Sequence, residues 1–270
     1  MTDSLAERAL ACLRLADPDE KCEAVARLRA DWLAGTLALP PPEAPVEAVP
    51  VPGRPERPPL VPPQQVEHRG IGTREGHAAL IHALTHIEFN AVNLALDAVY
   101  RFRDLPRDYY GDWLQVADEE ARHFRLLRNH LRTLGFDYGA FPAHDGLWQM
   151  CVKTAHDPLV RMALVPRLLE ARGLDANPAL VAKLGRIKDT RGAEILGVIL
   201  RDEIGHVRIG NRWYEHLCAR RGLDPVATFR RLLVEYGAPR PRPPLHLDAR
   251  RAAGFSDEEL AYLETGAPPA

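Results

Sequence analysis

Apolar residues recur at helical spacing along most of the chain. Leu5, Ala9, Cys12 and Leu13 make one stripe, Asp17-Pro18 interrupts it, and Cys22, Val25, Leu28 and Trp32 make the next. Two short helices are therefore expected within residues 4–37. From residue 75 to residue 236 the pattern is helical nearly throughout, with helices expected at 75–103, 107–134, 157–172 with a continuation at 178–188, 190–221, and a shorter one at 225–236. Pro106, the Gly135–Pro142 stretch, Gly173, Asn177-Pro178 and Gly222 set these boundaries. No run alternates as a strand would. The tail holds a second proline-rich loop (Pro239, Pro241, Pro243, Pro244) and then one or two short helices between Asp248 and Glu264. The expected class is all-α.

Eleven of the 24 prolines fall between Pro40 and Pro63, so this stretch is neither helix interior nor central strand. It reads as a flexible tether or as a strap laid over the next domain, with Leu60, Val61 and Val66 as anchors. The expected organisation is an N-terminal helical segment at 1–37, a proline-rich linker or strap at 38–72, a helical bundle at 73–236 and a tail at 237–270.

Composition narrows the function. With a net charge of −2, no global field attracts nucleic acid or an anionic membrane. No apolar run approaches the roughly 20 residues of a membrane span. The first ten residues lack the basic and apolar regions of a signal peptide, so the expected location is the cytoplasm. Cys12, Cys22, Cys151 and Cys218 are scattered, which fits reduced thiols and argues against a zinc ribbon or a disulfide framework.

Two E-x-x-H motifs carry the chemistry: Glu120-Ala-Arg-His123 and Glu203-Ile-Gly-His206. Residues three apart on a helix lie about 60° from each other, so each Glu and His project from one face. Around Glu120 that face holds Trp113, Val116, Phe124, Leu127, Leu131 and Leu134, and around Glu203 it holds Leu196, Ile199, Val207, Tyr214 and Leu217. An ionised Glu on a core-facing stripe is costly unless it is paired or bound to metal. Two further acids interrupt apolar stripes in the same way. Glu88 lies among Leu84, Val92, Ala95 and Val99, and Glu170 among Leu159, Ala163, Pro166 and Leu174 on a less regular helix. Glu88 precedes Glu120 by 32 residues and Glu170 precedes Glu203 by 33, the spacing at which a helical hairpin sets two residues side by side. Four carboxylates and two imidazoles are the set that holds two iron or manganese ions in ferritin-like four-helix bundles. The absence of thiolate suits those metals.

The segments HIEFNAVNLALDAVYRF, DWLQVADEEARHFRLL, FPAHDGLW, TAHDPLVRMALVPRLLEARGLD and ILRDEIGHV, together with PGRPERPPLVPP before them, span most of residues 68–225. In these the chain resembles the ferritin-like family known as domain of unknown function 455. At superfamily level it is similar to the di-iron hydroxylases, including the enzyme that hydroxylates an isopentenyl-modified adenosine in tRNA. The resemblance implies a ferritin-like bundle with a di-metal site of two iron ions, manganese or a mixed pair being alternatives. It also implies that Glu119 and Asp202, each preceding a ligand Glu, hydrogen-bond the metal-bound His of the other half and orient its ring.

Other polar residues read as scaffold. His82 and His86 face away from Glu88, at outer-face or interhelix positions. Tyr109, Tyr110 and Tyr214 are packing residues, Arg125, Arg128 and Arg132 a solvated stripe, and His144, Asp145 and Trp148 a crossover packed at one end. The expected activity is that of an O₂-activating, hydroxylase-like oxidoreductase acting on a small molecule or a modified nucleoside. Its electrons would come from an external donor, because no flavin, nicotinamide or iron–sulfur motif is present. The alternatives are a ferroxidase or iron-handling protein and a non-catalytic, metal-stabilised helical module. Monomer and dimer both remain open.

Overall fold

A computed structural model describes residues 3–67, 69–238 and 240–266, with the backbone alone at Asp3. His68 of the expected linker and Pro239 of the second proline-rich loop lie outside the described residues. The chain divides into two compact units, Met1–Val152 and Lys153–Ala270. Among the described residues the architecture is all-helical apart from a two-residue parallel pair, β1 (Asp3–Ser4) with β2 (Leu37–Ala38), which the sequence did not announce. No described helix is long and apolar enough to cross a membrane.

In the first unit α1 (Leu5–Arg14) and α2 (Pro18–Leu33) meet at Asp17. The Asp17 carboxylate accepts from the N–H groups of Asp19 and Glu20, at 2.9 Å each, while Pro18 fills a position that needs no donor. α3 (Arg74–Arg101) and α4 (Arg107–Thr133) follow as a hairpin, with α1 packed on α3 and α2 on α4. Every residue from Glu88 to Tyr100 is buried, so α3 is the central helix of this unit. Where α2 crosses α4, a Cβ on Gly111 would stand 3.0 Å from the Trp32 indole nitrogen, a tight contact that the glycine avoids. A short helix, α5 (Gly146–Lys153), occupies the expected crossover and ends at the division between units.

The proline-rich stretch is a strap. The Gly53 N–H donates to Leu13 O at 2.8 Å, the Val61 N–H to Ala143 O at 2.9 Å, and the Ala143 N–H to Pro59 O at 3.1 Å. Trp148 Nε1 donates to Pro50 O at 2.9 Å. Lys21, fully buried, donates from Nζ to Leu13 O at 3.1 Å, to Gly53 O at 2.7 Å and to Asn93 Oδ1, so one ammonium joins α1, the strap and α3.

The second unit contains one correction. The expected break between residues 172 and 178 does not occur: α6 (Pro158–Leu164), a π-helical turn (Val165–Glu170) and α7 (Ala171–Arg186) run on without interruption. Gly173 and Pro178 sit inside α7, and Asn177 anchors that stretch by donating from Nδ2 to Leu196 O at 2.9 Å. The π turn arises at Pro166, which has no N–H to give to the preceding turn and crowds the carbonyl four residues back. α8 (Thr190–Arg220) packs along this composite helix, and α9 (Pro225–Glu235), α10 (Leu247–Ala252) and α11 (Asp257–Thr265) complete the unit. Arg250, fully buried, grips Asp175 through Nε at 2.9 Å and Nη2 at 2.7 Å and so fastens α10 to α7.

Candidate metal centre

Within the first unit, α3 and α4 bring three expected ligands together. Glu88, Glu120 and His123 offer atoms that all lie within 4.8 Å of one another. Glu120 and His123 are fully buried and Glu88 is 5% exposed. The i,i+3 spacing on α4 sets His123 Nδ1 3.4 Å from Glu120 Oε2, and the hairpin sets it 3.3 Å from Glu88 Oε2. No hydrogen bond of good geometry reaches Glu88 Oε2, although it is enclosed.

The electrostatics follow from that enclosure. Burial drives the Glu88 carboxyl well above the ordinary carboxylate range, and the charge of Glu120 pushes the same way, against the pull of the His123 imidazole 3.3 Å away. For His123, burial pulls downward but the adjacent carboxylates of Glu120 and Glu88 outweigh it, raising the imidazole to about 11. Glu88 and His123 thus hold protons in an apolar interior where a cation fits. Hard carboxylate oxygens, borderline nitrogen and no sulfur are the donors that iron and manganese take.

In the second unit the other expected ligands lie on the composite helix and on α8. His206 is fully buried, with Nδ1 3.7 Å from Glu203 Oε1. Glu170 ends the π turn and, like Glu203, is half-buried. No three metal-binding groups drawn from the described residues of this unit alone come within 4.8 Å of one another. Glu119 accepts from Gln115 Nε2 on its own helix at 3.1 Å, and both Glu119 and Asp202 are half-buried.

The scaffold residues fall mostly as their positions suggest. His82 and His86 are interhelix rather than outer-face residues: His82 Nε2 accepts from the Gly139 N–H at 2.9 Å, and His86 Nδ1 accepts from the Tyr138 hydroxyl at 2.8 Å. Burial lowers both imidazoles to about 4, which keeps them neutral and able to accept. Of the basic stripe, Arg125 and Arg132 are exposed, but Arg128 is mostly covered and pairs with Asp137 at 2.7 Å and Asp19 at 3.0 Å. Tyr109, Tyr110, Tyr214 and Trp148 are buried. A cavity of about 10 Å³ lies under the strap, beside His86, Asn90, Asn93 and Tyr138. It has room for one water, and its α3 residues Asn90 and Asn93 sit about 160° and 140° round the helix from Glu88.

The profile of a family described as "Protein of unknown function (DUF455)" matches residues 14–261. The chain belongs to this family. A relative in Haemophilus influenzae, an uncharacterized protein, is 47% identical over 261 residues, covering 93% of this chain and 90% of its own. No solved structure matches. The family match takes in all six expected ligands and both E-x-x-H motifs. It also takes in four buried cations that the periodicity of the sequence did not single out, Lys21, Arg161, Arg167 and Arg250. Their signal was a charge inside an apolar run, plainest for Arg167 in MALVPRLLE.

Proposed function

We propose that this chain is a ferritin-like di-metal protein and an O₂-activating oxidoreductase of the hydroxylase type. On this reading its α3–α4 and α7–α8 hairpins form one four-helix bundle. Glu88, Glu120 and His123 hold one side of the centre, and Glu170, Glu203 and His206 hold the other. The observation that carries the reading is the buried triad of the first unit. Three residues expected from motif, apolar face and spacing converge in an apolar interior, where uncompensated carboxylates are costly. The repeat of the same order and spacing at Glu170, Glu203 and His206 supports a second half.

Two iron ions, or manganese in one or both positions, supply the oxidising chemistry when bound. The chain supplies the rest. Four carboxylates balance the charge of two divalent ions, and two neutral imidazoles complete the ligand set. Leu127, Phe124, Leu196 and Val207, all buried, exclude water around the ligands. Glu119 and Asp202 orient the imidazole rings of the opposite half. An external donor supplies electrons, and the substrate is a small organic molecule or a modified nucleoside.

Metal content and turnover test this. Protein purified without chelators is expected to carry about two iron or manganese ions per chain. With reductant and substrate it should consume O₂ repeatedly without added metal. Uptake that stops when Fe(II) is exhausted and resumes only on its addition indicates iron handling instead. A metal-free protein of undiminished stability indicates a non-catalytic module.

A further inference from the structure

The π turn that ends at Glu170 is built around Pro166 and held from one side by an unusual anchor. Arg167 follows Pro166 and precedes Glu170 by three residues, yet it is only 1% exposed. Its guanidinium carbon stands 4.7 Å from the ring centres of Tyr214 and Phe229 and 4.9 Å from that of Phe255. Nη2 donates to Glu259 Oε1, while Nε and Nη1, enclosed by the rings, have no hydrogen-bond partner. The carboxylate of Glu259 is itself fixed: its Oε2 accepts from the Ser256 N–H at 2.9 Å and from the Ser256 hydroxyl at 3.1 Å, the capping box that starts α11.

A buried ion pair is weak evidence for stability, since an apolar side chain of similar volume usually serves as well. Its distinctive product is direction. The guanidinium must meet one carboxylate oxygen inside a three-ring box, so the backbone at Arg167 has one place to be. A π turn places the residues after it out of phase with an ordinary helix, so slippage to α geometry would turn Glu170 away. We propose that Arg167 is a positioning residue: its pair with Glu259, inside the box of Tyr214, Phe229 and Phe255, locks the π turn and fixes where Glu170 presents its carboxylate. On this account α9 and α11 belong to the support of the metal centre. The inference rests on the reading of Glu170 as a ligand.

The test is a titration of the full chain, stripped of metal, with cobalt(II), whose visible absorption reports its ligand environment. Thermal melts of the metal-free protein run in parallel. Glu170→Gln is expected to weaken one of two binding events. Arg167→Met should weaken that same event by about 10–100-fold and alter its absorption bands, the other event being unchanged. Glu259→Gln should act in the same direction, since Gln still serves in the capping box but leaves the guanidinium without its counter-charge. Arg167→Lys, which keeps the charge but loses the fork, should recover only part of the affinity. If Arg167→Met and Glu259→Gln lower the melting temperature but leave the titration unchanged, while Glu170→Gln weakens it, the positioning role is overturned and the di-metal reading stands. If Glu170→Gln leaves the titration unchanged, the ligand assignment fails and this inference fails with it. Should Arg167→Met not fold, the Glu259→Gln titration decides.

Discussion

Gly210 lies on α8, four residues after His206, and faces Pro166 on the π turn, four residues before Glu170. A Cβ added at Gly210 would stand 2.5 Å from Pro166 Cβ and 2.7 Å from Pro166 Cγ. Carbon atoms settle at about 3.5–4.0 Å, so the overlap is about 1 Å against a rigid ring. Overpacking of this kind costs about 1–3 kcal/mol. Removing a glycine from a helix returns about 1 kcal/mol. Gly210→Ala is therefore expected to destabilise by about 0–2 kcal/mol. Gly197, on the same helix, has nothing within 4 Å of its added Cβ. Gly197→Ala should stabilise by about 0.5–1 kcal/mol. The same chemical change on one helix thus takes opposite signs, and the gap between the variants isolates the steric cost. Urea unfolding followed by helical circular dichroism, compared at a common slope, measures it. Relief of the clash must move Pro166 or α8, so metal affinity should fall in Gly210→Ala and hold in Gly197→Ala. If Gly210→Ala stabilises as much as Gly197→Ala, α8 does not approach the π turn this closely, and the packing that aims Glu170 is wrong.

Lys21 gives a pH-dependent prediction. Burial lowers it from 10.5 to about 7, so between those values the unfolded chain binds the extra proton. Its contribution to stability is therefore full above about pH 10.5 and is lost as pH falls toward 7. The stability of the wild type minus that of Lys21→Met should rise by up to about 1.4 kcal/mol per pH unit across that window, as read by urea melts at several pH values. A difference that does not change with pH would mean that the three oxygens keep the ammonium charged. Trp148→Phe removes the indole donor to the O of Pro50, an exposed residue, at a cost of about 0.5–1.5 kcal/mol. Exchange of the Gly53 amide, which is bonded to Leu13 O, should accelerate in that variant. Unchanged exchange would show that the strap is held elsewhere.

The long helices were legible because their apolar stripes keep one period. The boundaries expected for α3, α4 and α8 lie within two residues of those observed. The burial of Glu88, Glu120 and His123 was legible for the same reason, each being a polar residue on a stripe that must face a core. The stretch around Glu170 was not. A wheel of about 100° per residue assumes α geometry throughout, and the π turn at Pro166 breaks that assumption where Glu170 sits. The break expected at Gly173 and Pro178 failed because local propensity yields to tertiary packing: Asn177 and α8 hold the helix through the proline. Proline content alone could not separate a tether from a strap, since the deciding partners of Gly53, Val61 and Pro50 are distant in sequence. The buried cations Lys21 and Arg167 belong to the same class.

The central claim is that six residues from two hairpins hold two ions. Crystals of the protein purified without chelators, measured on both sides of the iron and manganese absorption edges, test it most directly. The account predicts two anomalous peaks about 3.5–4 Å apart, one bound by Glu88, Glu120 and His123, the other by Glu170, Glu203 and His206. A single ion held by Glu88, Glu120 and His123 alone would contradict it, as would carboxyl groups of Glu120 and Glu203 more than about 10 Å apart.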